Sequence, residues 1–257
     1  MLLSNRKNFL FVHIAKTGGS SIRSALSRSR WQEPYYIPQM ICNRISHITG
    51  HKLGVKLPRH APVVTAQHML KGPHFDGLFK FAFVRNPWDR LVSAYCHFQR
   101  EQKSLLAEHR IRAMPDFTDW ILGDNIDYCG EAGEFIRSIR RLQVDHLIDL
   151  DHNIVVNYIG RYERLSEDFR QLCERLDVPH VELPHKRNSK RSAGYREQYD
   201  AQSRDRVAAF YRRDIETLGY RFGEPESFRS MGEIENCKSI TVKPSILSES
   251  SEMARAG

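Results

Sequence analysis

The sequence contains few of the features of a protein that is stabilised by disulfide bonds or a structural metal ion, or that spans a membrane. Five cysteines occur in 257 residues, and no two of them form a CxxC pair: Cys42, Cys96, Cys129, Cys173 and Cys237. An odd, widely spaced set argues against a disulfide framework and a structural zinc site, and it fits a reducing compartment. No apolar run approaches the ~20 residues of a membrane span, and the N-terminal stretch lacks a signal-peptide cleavage site. We therefore expect a cytoplasmic protein.

Acidic residues are fewer than basic ones. The chain has 39 Lys and Arg against 31 Asp and Glu, a formal net charge of +8. A basic surplus favours anionic ligands such as nucleotides, nucleic acid, membrane surfaces or acidic glycans, although many basic surfaces have no such partner. The zinc-finger, RRM-like and basic-heptad signatures of nucleic-acid binding are missing. We therefore do not expect a nucleic-acid partner.

Strand-like and helix-like segments alternate along the chain. Strands are predicted at 9–14 (FLFVHI), 63–67 (VVTAQ), 78–84 (LFKFAFV) and 154–159 (IVVNYI), and amphipathic helices separate them. This alternation predicts an α/β protein, a P-loop-like three-layer fold in which helices flank a mostly parallel sheet. From residue 224 the pattern fades, so we expect a disordered tail over 224–257.

A glycine-rich loop, HIAKTGG at 13–19, follows the first predicted strand and precedes a helix. Backbone N–H groups at such a turn converge on an anion, Lys16 adds a positive charge, and Thr17, Ser20 and Ser21 add hydroxyl donors. The lysine precedes the glycines, so the loop is not the G-x-x-x-x-G-K-[ST] phosphate loop. The pattern predicts a phosphate or sulfate site.

A second strand–turn–helix unit contains RNPWDRLVSAY at 85–95. Asn86 is a good N-cap and Pro87 a good first helical residue. Arg85 follows the strand, and its guanidinium fork suits a terminal phosphate that the hydroxyl of Ser93 could share. Ligands of parallel sheets bind beyond the carboxyl ends of the strands. Two anion sites there fit a ligand with two anionic ends.

FVHIAKTGGSSI and FAFVRNPWDRLVSAY together resemble the two signature stretches of the sulfotransferases that use 3′-phosphoadenosine 5′-phosphosulfate (PAPS). The resemblance is to the carbohydrate sulfotransferase branch and its soluble bacterial relatives. It continues more weakly at GRYERLSEDF (160–169) and over 185–222. It implies a sulfotransferase domain over 1–223, PAPS as donor without a metal, and an acceptor hydroxyl on a saccharide or glycoconjugate.

The resemblance also implies a role for individual residues. Lys16 would stabilise the bridging oxygen of the donor, and Arg85 and Ser93 would bind its 3′-phosphate. Tyr162 corresponds to a position near the adenine. The 5′-phosphosulfate loop would comprise Lys16, Thr17, Gly18, Gly19, Ser20 and Ser21, and basic residues that cover the nucleotide would be Lys186, Arg187 and Lys190.

Transfer to a hydroxyl requires a general base, and histidine suits this role near neutral pH. His68 follows the predicted strand 63–67, and a histidine at a similar place is the base in the carbohydrate branch. His74, His97 and Asp76 are alternatives. His13 is expected instead to pack or to orient Lys16.

Two other function classes fit part of the pattern. One is an atypical kinase acting on a small phosphorylated or sugar substrate, although no acidic strand end is evident for magnesium. The other is a non-enzymatic polyanion-binding protein, although acidic residues accompany the basic ones, as in RRDIE. Segments 32–64 and 99–134 have no recognisable motif and are expected to select the acceptor.

Overall fold

The computed structural model describes residues 1–27, 37–38, 41–42, 44–45, 57–70, 72–124, 126, 132–179, 182–183, 194–223 and 232–233. The chain forms two compact units. Among the described residues, those within Met1–Arg85, Val156–Ser192 and Pro225–Ile234 form the first unit, and those within Asn86–Val155 and Ala193–Glu224 form the second unit.

Strands and helices alternate as expected for an α/β protein. The strands are β1 (Leu2–Ser4), β2 (Phe9–Val12), β3 (Phe79–Val84), β4 (Tyr158–Arg161) and β5 (Gly232–Glu233). The helices are α1 (Gly19–Ser27), α2 (Val63–Met69), α3 (Gly72–Gly77), α4 (Pro87–Glu101), α5 (Lys103–Glu108), α6 (Met114–Ile121), α7 (Gly133–Arg140), α8 (Leu165–Arg175), α9 (Ala201–Phe210) and α10 (Arg212–Leu218).

The first unit is built on a sheet in the order β1-β2-β3-β4-β5. The central pairs β2–β3 and β3–β4 are parallel, whereas β1 and β5 pair antiparallel at the two edges. The predicted α/β fold with a mostly parallel sheet is therefore confirmed. The parallel strands end together, so the segments that follow β2, β3 and β4 share one edge of the sheet.

Alternating phenylalanines form one face of this sheet. Phe11 pairs with Phe81, their rings stack at 5.1 Å, and Phe81 pairs in turn with Tyr158. Residues of α1 and α8 pack against this face in a single buried cluster. Leu10 and Ala82 point to the opposite face and are also fully buried, as is expected for parallel strands covered on both faces.

The second unit is mostly helical. α4 begins as predicted, because the Asn86 side chain accepts a hydrogen bond from the N–H of Trp88 and Pro87 occupies the first turn. The buried carboxylate of Asp214 accepts the N–H groups of Gln143 and Val144 at 2.8 and 2.9 Å. These two N–H groups are therefore unavailable to a continuation of α7, which ends at Arg140.

Two strand predictions were wrong. The VVTAQ segment lies in α2, where Val63 and Ala66 are buried at helical spacing, so its β-branched start was misleading. In the IVVNYI segment the strand begins later, at Tyr158. Ile154 instead forms an isolated bridge with Ile148, across a turn in which the Asp149 carboxylate accepts two backbone hydrogen bonds.

Candidate anion-binding site

The HIAKTGG loop lies between β2 and α1, at the carboxyl edge of the sheet. Lys16 and Gly18 both have positive φ, at 67° and 80°. The hydroxyl of Thr17 donates to Ile14 O at 3.0 Å, and Gly18 O accepts the N–H groups of Ser21 and Ile22. The hydroxyl of Thr17 therefore holds the turn closed. The first turn of α1 leaves backbone N–H groups at the end of the loop, where an anion can accept them.

Both glycines of the loop are required by close packing. A Cβ on Gly18 would lie 2.9 Å from Leu165 Cδ2 and 3.1 Å from Tyr162 Cδ2, and its positive φ disfavours any side chain. A Cβ on Gly19 would overlap the imidazole of His13 at Cδ2 and Nε2. The loop is thus fixed from two sides, by the segment after β4 and by the end of β2.

Arg85 directly follows β3, and the structure brings it to the loop. Its guanidinium donates to Lys16 O at 3.1 Å and lies 3.7 Å from the centre of the Tyr162 ring, on which it stacks. Arg85 is only 4% exposed. The loop, Arg85 and Tyr162 therefore meet at the carboxyl edge, as ligand-binding residues of a parallel sheet do.

Arg161 is a further basic residue at this edge, which the sequence reasoning missed. It is the last residue of β4, pairs in register with Val84 and is as buried as Arg85. Its backbone N–H donates to the carboxylate of Asp168 at 2.7 Å. Its position directly before Tyr162 in GRYERLSEDF was the available signal.

His13 and His60 flank the start of the loop on its other side. Their rings lie 4.6 Å apart, and His60 Nδ1 donates to the backbone oxygen of His13 at 3.0 Å. Burial, with His60 and the positive charge of Arg59 nearby, lowers the pKa of His13 to about 2. His13 is therefore neutral at working pH. No sequence signal pointed to His60.

The candidate general bases lie in segments of the chain other than the HIAKTGG loop. His68 is exposed in the last turn of α2, and His74 and Asp76 are exposed in α3. Ser93 and His97 lie in α4 of the second unit, where both are half-buried and the His97 ring packs against Phe135 at 4.5 Å. Residues Lys186, Arg187 and Lys190 lie outside the described residues.

The described part of the chain holds neither a membrane-spanning helix nor a cluster of metal-ligating side chains. None of its helices is long and apolar enough to cross a bilayer. Within those same residues, no group of three or more His, Cys, Asp or Glu side chains is placed to hold a metal ion.

Together, the sheet and its loop define an α/β protein with a candidate anion site at the carboxyl edge of parallel strands. The chain belongs to the Sulfotransferase family, whose family model matches residues 1–221.

Two relatives extend this assignment. The chain is 25% identical over 216 residues to carbohydrate sulfotransferase 14 of Mus musculus, a match that covers 76% of this chain and 50% of the mouse protein. It is also 28% identical over 105 residues to an uncharacterized protein of Archaeoglobus fulgidus, covering 41% of this chain and 72% of that protein. The chain thus spans half the length of the mouse relative. No solved structure gives a significant match.

Proposed function

We propose that residues 1–223 catalyse transfer of the sulfuryl group of PAPS to an acceptor hydroxyl, without a metal ion. The observation that carries this proposal is the convergence of the Lys16 loop, Arg85 and Tyr162 at one edge of the sheet. PAPS has anionic groups at both its 5′ and 3′ sides. Lys16 and Arg85 are cations that follow two different strands, β2 and β3. The family model over residues 1–221 supports the same reaction.

The 5′-phosphosulfate would occupy the loop at the start of α1. Backbone N–H groups at Gly19 and Ser20 are available there because a helix does not satisfy its first donors internally. Lys16 adds the full positive charge, and the dipole of α1 adds to it. The members of this subsite are Lys16, Thr17, Gly18, Gly19, Ser20 and Ser21.

The 3′-phosphate would bind the guanidinium of Arg85. The stack on Tyr162 and the bond to Lys16 O hold the Arg85 guanidinium in one orientation, which lowers the entropy lost when it binds an anion. The rest of the Tyr162 ring would border the adenine. Lys186 and Arg187 would add positive charge over the nucleotide.

The chemistry is an in-line displacement at sulfur. The acceptor oxygen forms a bond to sulfur, while the bond between sulfur and the bridging phosphate oxygen breaks. His68 takes the proton of the acceptor hydroxyl, and Lys16 stabilises the negative charge that develops on the bridging oxygen. The products are a sulfate ester and adenosine 3′,5′-bisphosphate. An imidazole suits this base role because its ordinary pKa lies near neutral pH.

A saccharide or glycoconjugate is the proposed acceptor. The named relative from mouse is a carbohydrate sulfotransferase, and the net charge of +8 favours acidic acceptors. Incubation of the protein with PAPS and a panel of saccharides, read by mass spectrometry, tests this proposal. The expected product is heavier than the acceptor by one sulfuryl group.

His68→Ala tests the base. We expect it to bind adenosine 3′,5′-bisphosphate like the wild type and to lose transfer by about 10²–10⁴-fold. His109→Ala, which changes an exposed histidine of the second unit, is the matched control and should keep its activity. Near-normal turnover by His68→Ala would assign the base to another residue, whereas absence of transfer in the wild type with every acceptor class would contradict the saccharide assignment.

A further inference from the structure

His13 is a buried histidine whose ring is enclosed by three neighbours. It is 3% exposed. Its ring stacks on Phe11 at 5.5 Å with an interplanar angle of 17°, and it lies 4.6 Å from the ring of His60. The edge formed by Cδ2 and Nε2 faces Gly19, the first residue of the nine-residue helix α1. A polar ring atom therefore lies next to the helix end that the loop presents to an anion.

The ring is uncharged, and its surroundings select one tautomer. Burial and neighbouring cations lower its pKa to about 2. Among the described residues, His13 Nδ1 is fully buried and has no hydrogen-bond partner. A buried N–H without a partner costs more than a buried acceptor without one. The proton therefore belongs on Nε2, and Nδ1 is the unpaired acceptor.

We propose that Nε2–H of His13 donates a hydrogen bond to an oxygen of the 5′-phosphosulfate, which makes His13 an additional residue of the donor site. The inference rests on the proposed function, because it assigns the anion that this N–H binds. Lys16 supplies the charge at this subsite, and His13 supplies a donor of fixed direction. The stack on Phe11 and the contact with Gly19 limit rotation of the ring, so the donor is preorganised.

Calorimetry with two nucleotides tests the inference. Adenosine 3′,5′-bisphosphate has a phosphate at the 5′ position, whereas adenosine 3′-monophosphate has none. His13→Phe keeps an aromatic ring on Phe11 but removes the donor. A hydrogen bond to a charged group contributes enough for a loss of about tenfold or more. We expect this loss for the bisphosphate, and unchanged binding of the monophosphate.

The matched control is His109→Phe, which changes an exposed histidine whose ring packs on Trp120. It should bind both nucleotides like the wild type. Equal loss for both nucleotides in His13→Phe would indicate a structural role only and would overturn the inference. Equal binding of the bisphosphate by wild type and His13→Phe would also overturn it, while leaving the proposed function intact. A wild type that binds neither nucleotide would contradict both.

A spectroscopic measurement covers the case in which His13→Phe does not fold. In wild-type protein with ¹⁵N-labelled histidine, His13 should appear as the neutral Nε2–H tautomer at pH 6. Its Nε2 signal should shift when adenosine 3′,5′-bisphosphate is added and stay in place with adenosine 3′-monophosphate. An Nδ1–H tautomer, or an Nε2 signal that does not respond to the bisphosphate, would contradict the inference.

Discussion

Lys16 combines a functional charge with an unfavourable backbone conformation. Its φ of 67° lies in the left-handed region, which costs a non-glycine residue roughly 1–2 kcal/mol. The neighbouring contacts hold it there, since Arg85 binds its carbonyl and Thr17 closes the turn behind it. A glycine would form the same turn without strain. A strained lysine at a candidate ligand site therefore supports a role for its side chain in binding.

Substitution of Lys16 by glycine and by alanine should separate strain from charge. Glycine adopts a positive φ without strain, so Lys16→Gly relieves the strain at this position, whereas Lys16→Ala retains it. We expect Lys16→Gly to be more stable than Lys16→Ala by about 1 kcal/mol in urea denaturation. Both should lose binding of adenosine 3′,5′-bisphosphate. Equal stability of the two variants would show that the turn is unstrained at this residue.

His13 should make the fold sensitive to acid. Its pKa falls from an ordinary value of 6.5 to about 2 on folding, so its contribution to stability is fully present above pH 6.5. That contribution is lost as the pH falls, at about 1.4 kcal/mol per pH unit. Between pH 7 and pH 5 the wild type should lose about 2 kcal/mol more than His13→Phe in urea denaturation. Parallel pH profiles would contradict the neutral state of this ring.

At the scale of elements, the position of α1 depends on a glycine at its first residue. Gly19→Ala would place a methyl group on the His13 ring, so α1 or the imidazole must shift. We expect a loss of about 1–3 kcal/mol in stability, with weaker binding of adenosine 3′,5′-bisphosphate. Gly77→Ala, at the end of α3, is the control because nothing lies within 4 Å of its new methyl group. A Gly19→Ala variant as stable as Gly77→Ala would show that the contact is not restrictive.

Local patterns in the sequence predicted some of these elements well. The alternating phenylalanines of β3 and the Asn86–Pro87 start of α4 have short-range causes, and both were confirmed. The VVTAQ segment misled because its β-branched residues favour a strand, whereas burial of Val63 and Ala66 at helical spacing decides the outcome. The end of α7 depends on Asp214, 71 residues beyond the Gln143 N–H that it accepts. Such a long-range contact has no signal in one sequence.

The residues of the candidate site were likewise predictable from the sequence only in part. The loop was readable from its glycines and lysine, and Arg85 from its place after a strand. The stack of Arg85 on Tyr162 and the buried position of Arg161 depend on β3 and β4 becoming neighbours. Strand order is a property of the folded sheet, so these contacts became visible only there.

At the scale of the whole molecule, the net charge of +8 should assist capture of an anionic donor. Raising the salt concentration from 50 to 500 mM shortens the screening length severalfold. We therefore expect association of adenosine 3′,5′-bisphosphate to slow and its binding to weaken in stopped-flow and calorimetric measurements. Uncharged adenosine serves as the control and should show little change. Salt-independent binding of the bisphosphate would contradict an electrostatic contribution.

The central claim is that one nucleotide donor is held at two anion sites by Lys16 and Arg85. Calorimetric titration of adenosine 3′,5′-bisphosphate into wild type, Lys16→Ala and Arg85→Ala tests it most directly, with the exposed Lys103→Ala as control. Binding by wild type and control, with at least about tenfold weaker binding by each of the other two variants, is the predicted result. Undiminished binding by both Lys16→Ala and Arg85→Ala would contradict the claim.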